Sequence, residues 1–185
     1  MSRLFGPIRQ IAFVVHDLDA ALQYWTEVLG VGPFFVAQDV LPENFYYRGH
    51  SSPPPALTIA LGNSGDVQVE LVKQHDDHPS AYRDYSTGGR EGLQHVSAWL
   101  TPADYDATRT RMLANGVQVA HEGTLPGNGI RFAYFATDNP GGFMYEIADL
   151  MQPEIYPLCE RIAEAARHWD GSSPVRDLSD LADLS

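Results

Sequence analysis

The sequence is poor in the residues that would bind polyanions or cross-link the chain. Of 185 residues only 12 are Lys or Arg, against 24 Asp or Glu, so the formal net charge is −12. A protein of that charge repels nucleic acid and anionic lipid, and we expect neither as a partner. A single cysteine, Cys159, excludes a disulfide within one chain and a multi-cysteine zinc cluster, and it indicates a reducing, cytoplasmic setting.

Long apolar runs are also missing. Near the start of the chain the longest one covers residues 11–15. It is shorter than the core of a secretion signal and far shorter than the roughly 20 residues that cross a bilayer. We therefore predict neither export nor membrane anchoring. With 44% hydrophobic and 19% charged residues, the composition is that of a folded globular protein.

The sequence contains an internal repeat. A strand pattern at residues 10–15 is followed by a helix that we predict from Asp17 to a stop at Gly30. The same order recurs at residues 95–100, with a predicted helix from Thr101 to Gly116. Strand-like segments then follow each helix, at residues 33–40, 56–61 and 67–72 in the first half and at 117–120, 130–137 and 143–148 in the second. The pattern predicts an α+β protein built from two βαβββ modules.

We divide the chain accordingly into four parts. The first module covers residues 1–73 and the second 93–150, with a polar connecting loop at 74–92 that is either a linker or a substrate lid. Residues 151–185 hold a C-terminal helix and an acidic tail. The apolar positions Leu158, Ile162 and Trp169 predict that this helix packs on the body of the protein or on a second subunit.

Strand parity places four polar side chains on one face of the predicted sheet. Successive side chains of a strand point to opposite faces, so Gln10, Glu70, His95 and Glu146 all lie opposite the apolar face that packs on the helices. Each one alone is typical of a solvated sheet surface. Two glutamates, one histidine and one amide at equivalent places in repeated halves suggest instead four ligands that converge on one metal ion.

Several segments carry a family resemblance. Residues 8–21, 29–34, 92–96 and 139–147 resemble the vicinal oxygen chelate superfamily, which includes glyoxalase I, methylmalonyl-CoA epimerase, extradiol dioxygenases and the fosfomycin and bleomycin resistance proteins. The resemblance covers about residues 8–150. It implies that the two modules form a cup-shaped, partly open mixed β-barrel. It also implies that the first and last strand of each module supply one metal ligand apiece, at Gln10, Glu70, His95 and Glu146.

The identities of the four residues narrow the implied chemistry. The set Gln, Glu, His, Glu resembles that of eukaryotic-type glyoxalase I, which holds zinc; Mn²⁺, Co²⁺ or Ni²⁺ also suits such donors. Val14 stands where that enzyme places an arginine that meets glutathione, so the resemblance does not extend to this co-substrate. A small oxo acid or a thioester is the implied substrate, and a homodimer is the implied assembly.

The resemblance implies a lyase or isomerase/epimerase of the glyoxalase type. Such an enzyme enolises a small carbonyl substrate chelated to a divalent metal, and we assign Glu146 as the base with Glu70 as its partner. One alternative is a metal-free ligand-binding protein like the bleomycin resistance members. Another is an Fe(II) extradiol dioxygenase, although Gln10 leaves only one of the two histidines of that metal site.

Other titratable residues are secondary candidates. His121 is placed near a strand start, where it either lines the cup or packs in the core, whereas His16 is interpreted as a surface or capping residue. His75 and His78 belong to the polar connecting loop. Three arginines are candidates to anchor a substrate carboxylate or phosphate, with a surface role as the alternative: Arg83, Arg90 and Arg131.

Overall fold

The computed structural model describes residues 4–136 and 142–184, and it gives no side-chain description beyond residue 181. Residue 137 of the predicted strand 130–137 and residues 139–141 of the resembling segment 139–147 therefore lie outside the described residues. No helix within the described ranges is both long enough and apolar enough to span a membrane.

The first half of the chain forms a strand, a helix and three further long strands, as predicted. The helix begins at the Asp17 cap, whose carboxylate accepts from the Ala20 N–H at 3.0 Å, and it ends in a π-helical turn at Tyr24–Val28 before Gly30. A short hairpin interrupts the series. The elements are β1 Gln10–Val14, α1 Leu18–Gln23, β2 Phe34–Val40, the hairpin β3 Glu43–Tyr47 and β4 His50–Ser51, β5 Leu57–Ser64 and β6 Val67–Gln74.

The second half repeats this order after a short helix in the connecting segment. The repeated helix begins at Thr101, as the sequence predicts; the Thr101 side chain caps it, and Pro102 lies in its first turn. The elements are α2 Ala81–Ser86, β7 Gly92–Trp99, α3 Pro102–Ala114, β8 Val119–Thr124, β9 Arg131–Phe135 and β10 Met144–Ala148. They are followed by α4 Tyr156–Arg167, β11 Val175–Asp177 and a 3-10 helix, Leu178–Leu184.

The strands form one open, mixed, eleven-stranded sheet. Their order is β11-β2-β5-β6-β1-β7-β10-β9-β8-β3-β4. In each half the first strand pairs in parallel with the last, β1 with β6 and β7 with β10, and the two halves meet where β1 pairs antiparallel with β7. The predicted α+β class with two βαβββ modules is thereby confirmed. The exact module boundaries stay a prediction.

Apolar clusters lie on both faces of the sheet. On its outer face α1 covers one apolar cluster that includes Val69 and Leu71, and α3 covers a second that includes Ile147. On the opposite face a third cluster surrounds Val14 and Tyr134. The alternating side chains of the central strands therefore face two different environments, and the four polar candidates point toward the inner one.

The acidic C-terminal segment packs against the body of the protein. Strand β11 extends the sheet by pairing in parallel with β2, and Leu181 is 3% exposed in an apolar cluster with Phe35 and Ile162. The helix predicted there is present as α4, which packs against β5. Thus α4 and the residues after it form a wall on the inner side of the sheet.

Candidate active site

Strand register brings Glu70 and His95 to the same level of the sheet. Ala12 of β1 pairs with Glu70 of β6 on one side and with His95 of β7 on the other. Because Ala12 carries only a methyl group and is fully buried, the two longer side chains can approach each other across it. The Nε2 atom of His95 lies 3.3 Å from a carboxylate oxygen of Glu70.

The adjacent level of the sheet supplies Gln10 and Glu146. Gln10 pairs with Gln68 on β6 and with Ser97 on β7, and Ser97 pairs in turn with Glu146 on β10. A carboxylate oxygen of Glu146 lies 3.6 Å from Nε2 of His95. The structure therefore brings Glu70, His95 and Glu146 together, with Gln10 on the strand between the two glutamates.

Gln10 is held by a second amide that the sequence analysis did not single out. Its Nε2–H donates to Oε1 of Gln68 at 2.8 Å, and both side chains are buried. Nε2 of Gln68 has no hydrogen-bond partner among the described residues although it is buried. Gln68 shares the parity of Glu70, so strand alternation could have identified it as a residue of the inner face.

A neighbouring residue fixes the orientation of the His95 ring. The Nδ1–H of His95 donates to Oε1 of Gln94 at 2.7 Å, and both residues are fully buried. Adjacent residues of a regular strand point to opposite faces, but the register between β1 and β7 shifts here: Ala12 pairs with His95 and Phe13 with Leu93. The resulting bulge at Gln94 re-aims its side chain, a device common beside active sites. With Nδ1 protonated, Nε2 is the atom that faces the carboxylates.

Two buried tyrosines complete the polar cluster. The hydroxyl of Tyr134 lies 3.2 Å from Nε2 of His95 and 2.8 Å from the hydroxyl of Tyr82. Burial, with the nearby charges of Glu70 and Glu146, raises the pKa of both phenols well above the usual value. Both hydroxyls therefore keep their protons at neutral pH and can donate. Tyr82 comes from α2, in the segment whose lack of periodicity hid it from sequence reasoning.

The site concentrates negative charge in an enclosed place. Glu70 and Glu146 are each 7% exposed, and His95 has no exposed surface. Burial raises the pKa of Glu146, and the nearby imidazole of His95 partly offsets the effect. One imidazole cannot balance two buried carboxylates, so the cluster favours an added proton or a cation.

The donor set fits a divalent cation in chemistry, and the two distances from His95 to the carboxylates are near those between ligands of one ion. Ligand atoms about 2.1 Å from one ion lie roughly 3.0–3.5 Å from one another, close to the 3.3 and 3.6 Å measured from His95 to the two carboxylates. Carboxylate oxygens with one imidazole suit Zn²⁺ or Mn²⁺. Across residues 4–136 and 142–184, however, no group of three or more His, Cys, Asp or Glu side chains is already arranged as a metal site. Binding would require the side chains to rotate around the ion.

A cavity of about 250 Å³ adjoins the cluster. Gln10, Glu70 and Glu146 line it together with Tyr82 and Tyr134, whereas His95 lies behind them. Most of the remaining lining is aliphatic and comes from β5, the β8–β9 connection and α4. The site is thus a polar corner of a mainly apolar cavity.

His121 packs in the core next to the site and does not line the cavity. It is fully buried against Tyr82 and Tyr134, and its Nδ1 accepts from the Ala81 N–H at 3.2 Å. Burial, reinforced by His95, lowers the pKa of His121 to about 3. His121 is therefore a neutral core residue at physiological pH.

His16 and the two histidines of the connecting loop do not line the cavity. His16 is exposed, and its backbone N–H donates to Glu91 at 2.6 Å. His75 contacts the Thr58 hydroxyl at 2.7 Å, and Nδ1 of His78 lies 2.8 Å from the Pro54 carbonyl.

The three arginines considered as substrate anchors are engaged elsewhere. Arg131 pairs with Asp106 and Asp149, each at 2.7 Å. Arg83 pairs with Asp77, and Arg90 donates to the Tyr85 carbonyl. The cavity lining contains no Arg or Lys among the described residues.

Comparison with known proteins agrees with this architecture. The family model described as the Glyoxalase/Bleomycin resistance protein/Dioxygenase superfamily matches residues 9–134. A search of curated proteins finds no match to the sequence.

Solved structures with the same fold include two methylmalonyl-CoA epimerases. The one from Mycobacterium tuberculosis superposes with a TM-score of 0.56 at 16% identity, covering 80% of this chain and 90% of that one. A selenomethionine-labelled epimerase gives 0.50 at 21% identity, covering 80% and 97%. A hypothetical protein from Bacillus halodurans C-125 gives 0.52 at 17% identity, covering 77% and 92%. At these identities the likeness establishes the fold alone.

Proposed function

Because this chain belongs to the Glyoxalase/Bleomycin resistance protein/Dioxygenase superfamily, we propose that it is a metal-dependent lyase or isomerase/epimerase of the glyoxalase type. Its substrate in this proposal is a small carbonyl compound, an oxo acid or a thioester, that presents two neighbouring oxygens. A homodimer and a cytoplasmic location accompany the proposal as predictions.

The observation that carries the proposal is the convergence of two buried carboxylates on one imidazole. Glu70 and Glu146 approach the same Nε2 atom of His95, at 3.3 and 3.6 Å, in a corner of the cavity. Burying two carboxylates without a compensating positive charge lowers the free energy of unfolding by an amount on the order of several kcal/mol. A divalent ion would offset this energy, with Gln10 supplying an amide oxygen as a further ligand.

Each residue has a role that follows from its position. Glu70, His95 and Glu146, with Gln10, would hold the ion, and a bound divalent cation supplies Lewis-acid polarisation of a carbonyl group. Glu146, which lines the cavity, takes the proton from the carbon next to the carbonyl. Glu146 can return this proton to either carbon of the enolised bond, and Glu70, on the other side of Gln10, can donate in its place when it enters the cycle already protonated. The Tyr134 hydroxyl, protonated at neutral pH, can donate to a developing negative oxygen.

A second candidate function is ligand binding without metal. It is favoured by the mainly aliphatic cavity and by the absence of a ready-made metal site within the described residues. In that case the carboxylate cluster would hold a proton, and the cavity would sequester an apolar compound. An Fe(II) dioxygenase has less support, because His95 is the one histidine among the four candidate ligands and His121 faces the aromatic core.

Solvent-deuterium exchange tests the enzymatic proposal. Protein loaded with Zn²⁺ is incubated in D₂O with pyruvate or 4-methyl-2-oxopentanoate, and proton NMR follows the signal of the carbon next to the oxo group. We expect exchange above the rate of Zn²⁺ alone, and a loss of 10²-fold or more in Glu146→Gln, the range for a positioned general base. Glu160→Gln, at an exposed glutamate of α4, is the matched control and should exchange like the parent protein.

Two results would contradict the proposal in different ways. If Glu146→Gln exchanges as fast as the parent, Glu146 is not the base. If the folded parent protein takes up no divalent ion and catalyses no exchange, the sequestration function is the better account.

A further inference from the structure

We propose that the cavity selects ligands whose non-chelating part is compact, apolar and uncharged. This inference rests on the proposed function, since it takes the two neighbouring oxygens of the ligand to lie at the carboxylate corner. It narrows the substrate class from oxo acids and thioesters in general to those with a short branched-aliphatic or single-ring substituent.

The cavity is divided into a polar end and an apolar end. Its charged side chains, Glu70 and Glu146, lie at one end, whereas the wall beyond them is mostly aliphatic and includes one neutral polar residue, Asn128. Leucine and isoleucine from three separate parts of the chain build that wall, Leu57 and Ile59 from β5, Ile130 beside β9, and Leu158 and Ile162 from α4. A ligand anchored by its oxygens at the polar end must place the rest of itself against this wall.

A charged substituent has no partner there. No Arg or Lys lines the cavity in the part of the chain that the structure describes, and Arg131 is occupied by Asp106 and Asp149. A second carboxylate or a phosphate would lose its hydration without a compensating cation, and it would lie near Glu70 and Glu146. The net charge of −12 also repels a substrate that carries a polyanionic group.

The volume limits the size of the substituent. The cavity of about 250 Å³ exceeds the roughly 150 Å³ apolar cavity that holds one benzene molecule. It is slightly below the common lower range of drug-sized sites, about 300 Å³. A branched chain of four carbons or one aromatic ring, together with the chelating atoms, fits this space. A larger group would extend out of the cavity toward solvent and lose contact with the aliphatic wall.

Part of the apolar wall comes from the C-terminal segment of the chain. Leu158 and Ile162 of α4 and Leu178 after β11 line the cavity, and all of them lie beyond residues 9–134, which match the family. Ile162 has no exposed surface and packs on Phe35 together with Leu181, so the wall is anchored in the fold.

A matched series of 2-oxo acids tests the inference. Pyruvate, 4-methyl-2-oxopentanoate and 2-oxoglutarate share the two neighbouring oxygens and differ in the remainder. Affinities are measured by titration calorimetry with and without saturating Mn²⁺, and Mn²⁺ uptake is measured separately by electron spin resonance. Burial of a methylene group contributes about fourfold in affinity. We therefore expect 4-methyl-2-oxopentanoate to bind at least tenfold tighter than pyruvate, and 2-oxoglutarate to bind more weakly than both.

A charge placed in the wall should change the order. In Leu158→Lys, at a half-buried position lining the cavity, 2-oxoglutarate should gain at least tenfold relative to 4-methyl-2-oxopentanoate. Leu113→Lys, on an exposed leucine of α3 outside the cavity, adds the same charge and should leave the order unchanged.

The outcomes separate this inference from the proposed function. Mn²⁺ uptake together with equal or inverted affinities in the parent protein overturns the inference and leaves the metal site standing. No Mn²⁺ uptake together with the expected order of affinities refutes the metal proposal and retains the apolar selection. If 4-methyl-2-oxopentanoate at millimolar concentration binds neither with nor without Mn²⁺, the inference is overturned.

Discussion

Replacing Glu146 by Gln is expected to have opposite effects on stability in the absence and in the presence of a divalent metal. Glu146 is 7% exposed and shares the imidazole of His95 with Glu70. The amide has nearly the same shape and carries no charge. Burying the charge of Glu146 beside that of Glu70 costs several kcal/mol in desolvation. Removing this charge should therefore raise the free energy of unfolding of the metal-free protein by about 1–2 kcal/mol.

Metal should reverse the order. A ligand that binds only the folded state at 100 times its Kd adds about 2.7 kcal/mol to the free energy of unfolding. The Glu146→Gln variant loses one anionic ligand of the ion, so we expect its Kd to rise about 100-fold and its gain at the same metal concentration to be only about 0.4 kcal/mol. Each kcal/mol corresponds to roughly 2–4 °C in Tm for a chain of this size.

Thermal unfolding with EDTA and with excess Zn²⁺ or Mn²⁺ measures both effects. Glu160→Gln, the exposed control, should follow the parent protein in each condition. If the variant is less stable than the parent in EDTA, the two carboxylates do not repel each other as argued. If metal stabilises the variant and the parent equally, Glu146 is not a ligand.

Two further changes test the structure around the site. Because burial lowers the pKa of His121 to about 3, the unfolded chain binds a proton below about pH 6.5 while the folded one does not. The free energy of unfolding, measured with urea, should therefore fall by about 2 kcal/mol between pH 7 and pH 5. The fall should be smaller in His121→Gln and unchanged in His168→Gln, which alters an exposed histidine. Equal falls in all three proteins would contradict this reasoning. Leu181→Ala should destabilise the protein by about 2–3 kcal/mol, and Leu113→Ala by about 0.5 or less, in the same assay; a neutral Leu181→Ala would show that the C-terminal segment is not part of the core.

Much of the architecture could be predicted because it depends on local patterns. The caps at Asp17 and Thr101, the glycine stops and the alternating strands are all encoded in short windows, and their repetition predicts two modules. Parity also places Gln10, Glu70, His95 and Glu146 on one face, since it needs no knowledge of strand order.

What could not be predicted depends on pairings between distant strands. The hairpin β3–β4 joins the far edge of the second half by pairing with β8, and no local pattern specifies that partner. The bulge that turns Gln94 toward His95 exists only in the register between β1 and β7. Tyr82 enters the site because α2 folds over the inner face, and the β11 strand forms because β2 is available to it.

The central claim is that Glu70, His95 and Glu146 hold one divalent ion beside the cavity. Crystals grown with Zn²⁺ or Mn²⁺ and measured at the absorption edge of the metal test it most directly. We expect one anomalous peak per chain about 2.0–2.3 Å from Nε2 of His95 and from an oxygen of each glutamate. A saturated crystal with no peak at these residues, or with its peak elsewhere on the surface, would contradict the account.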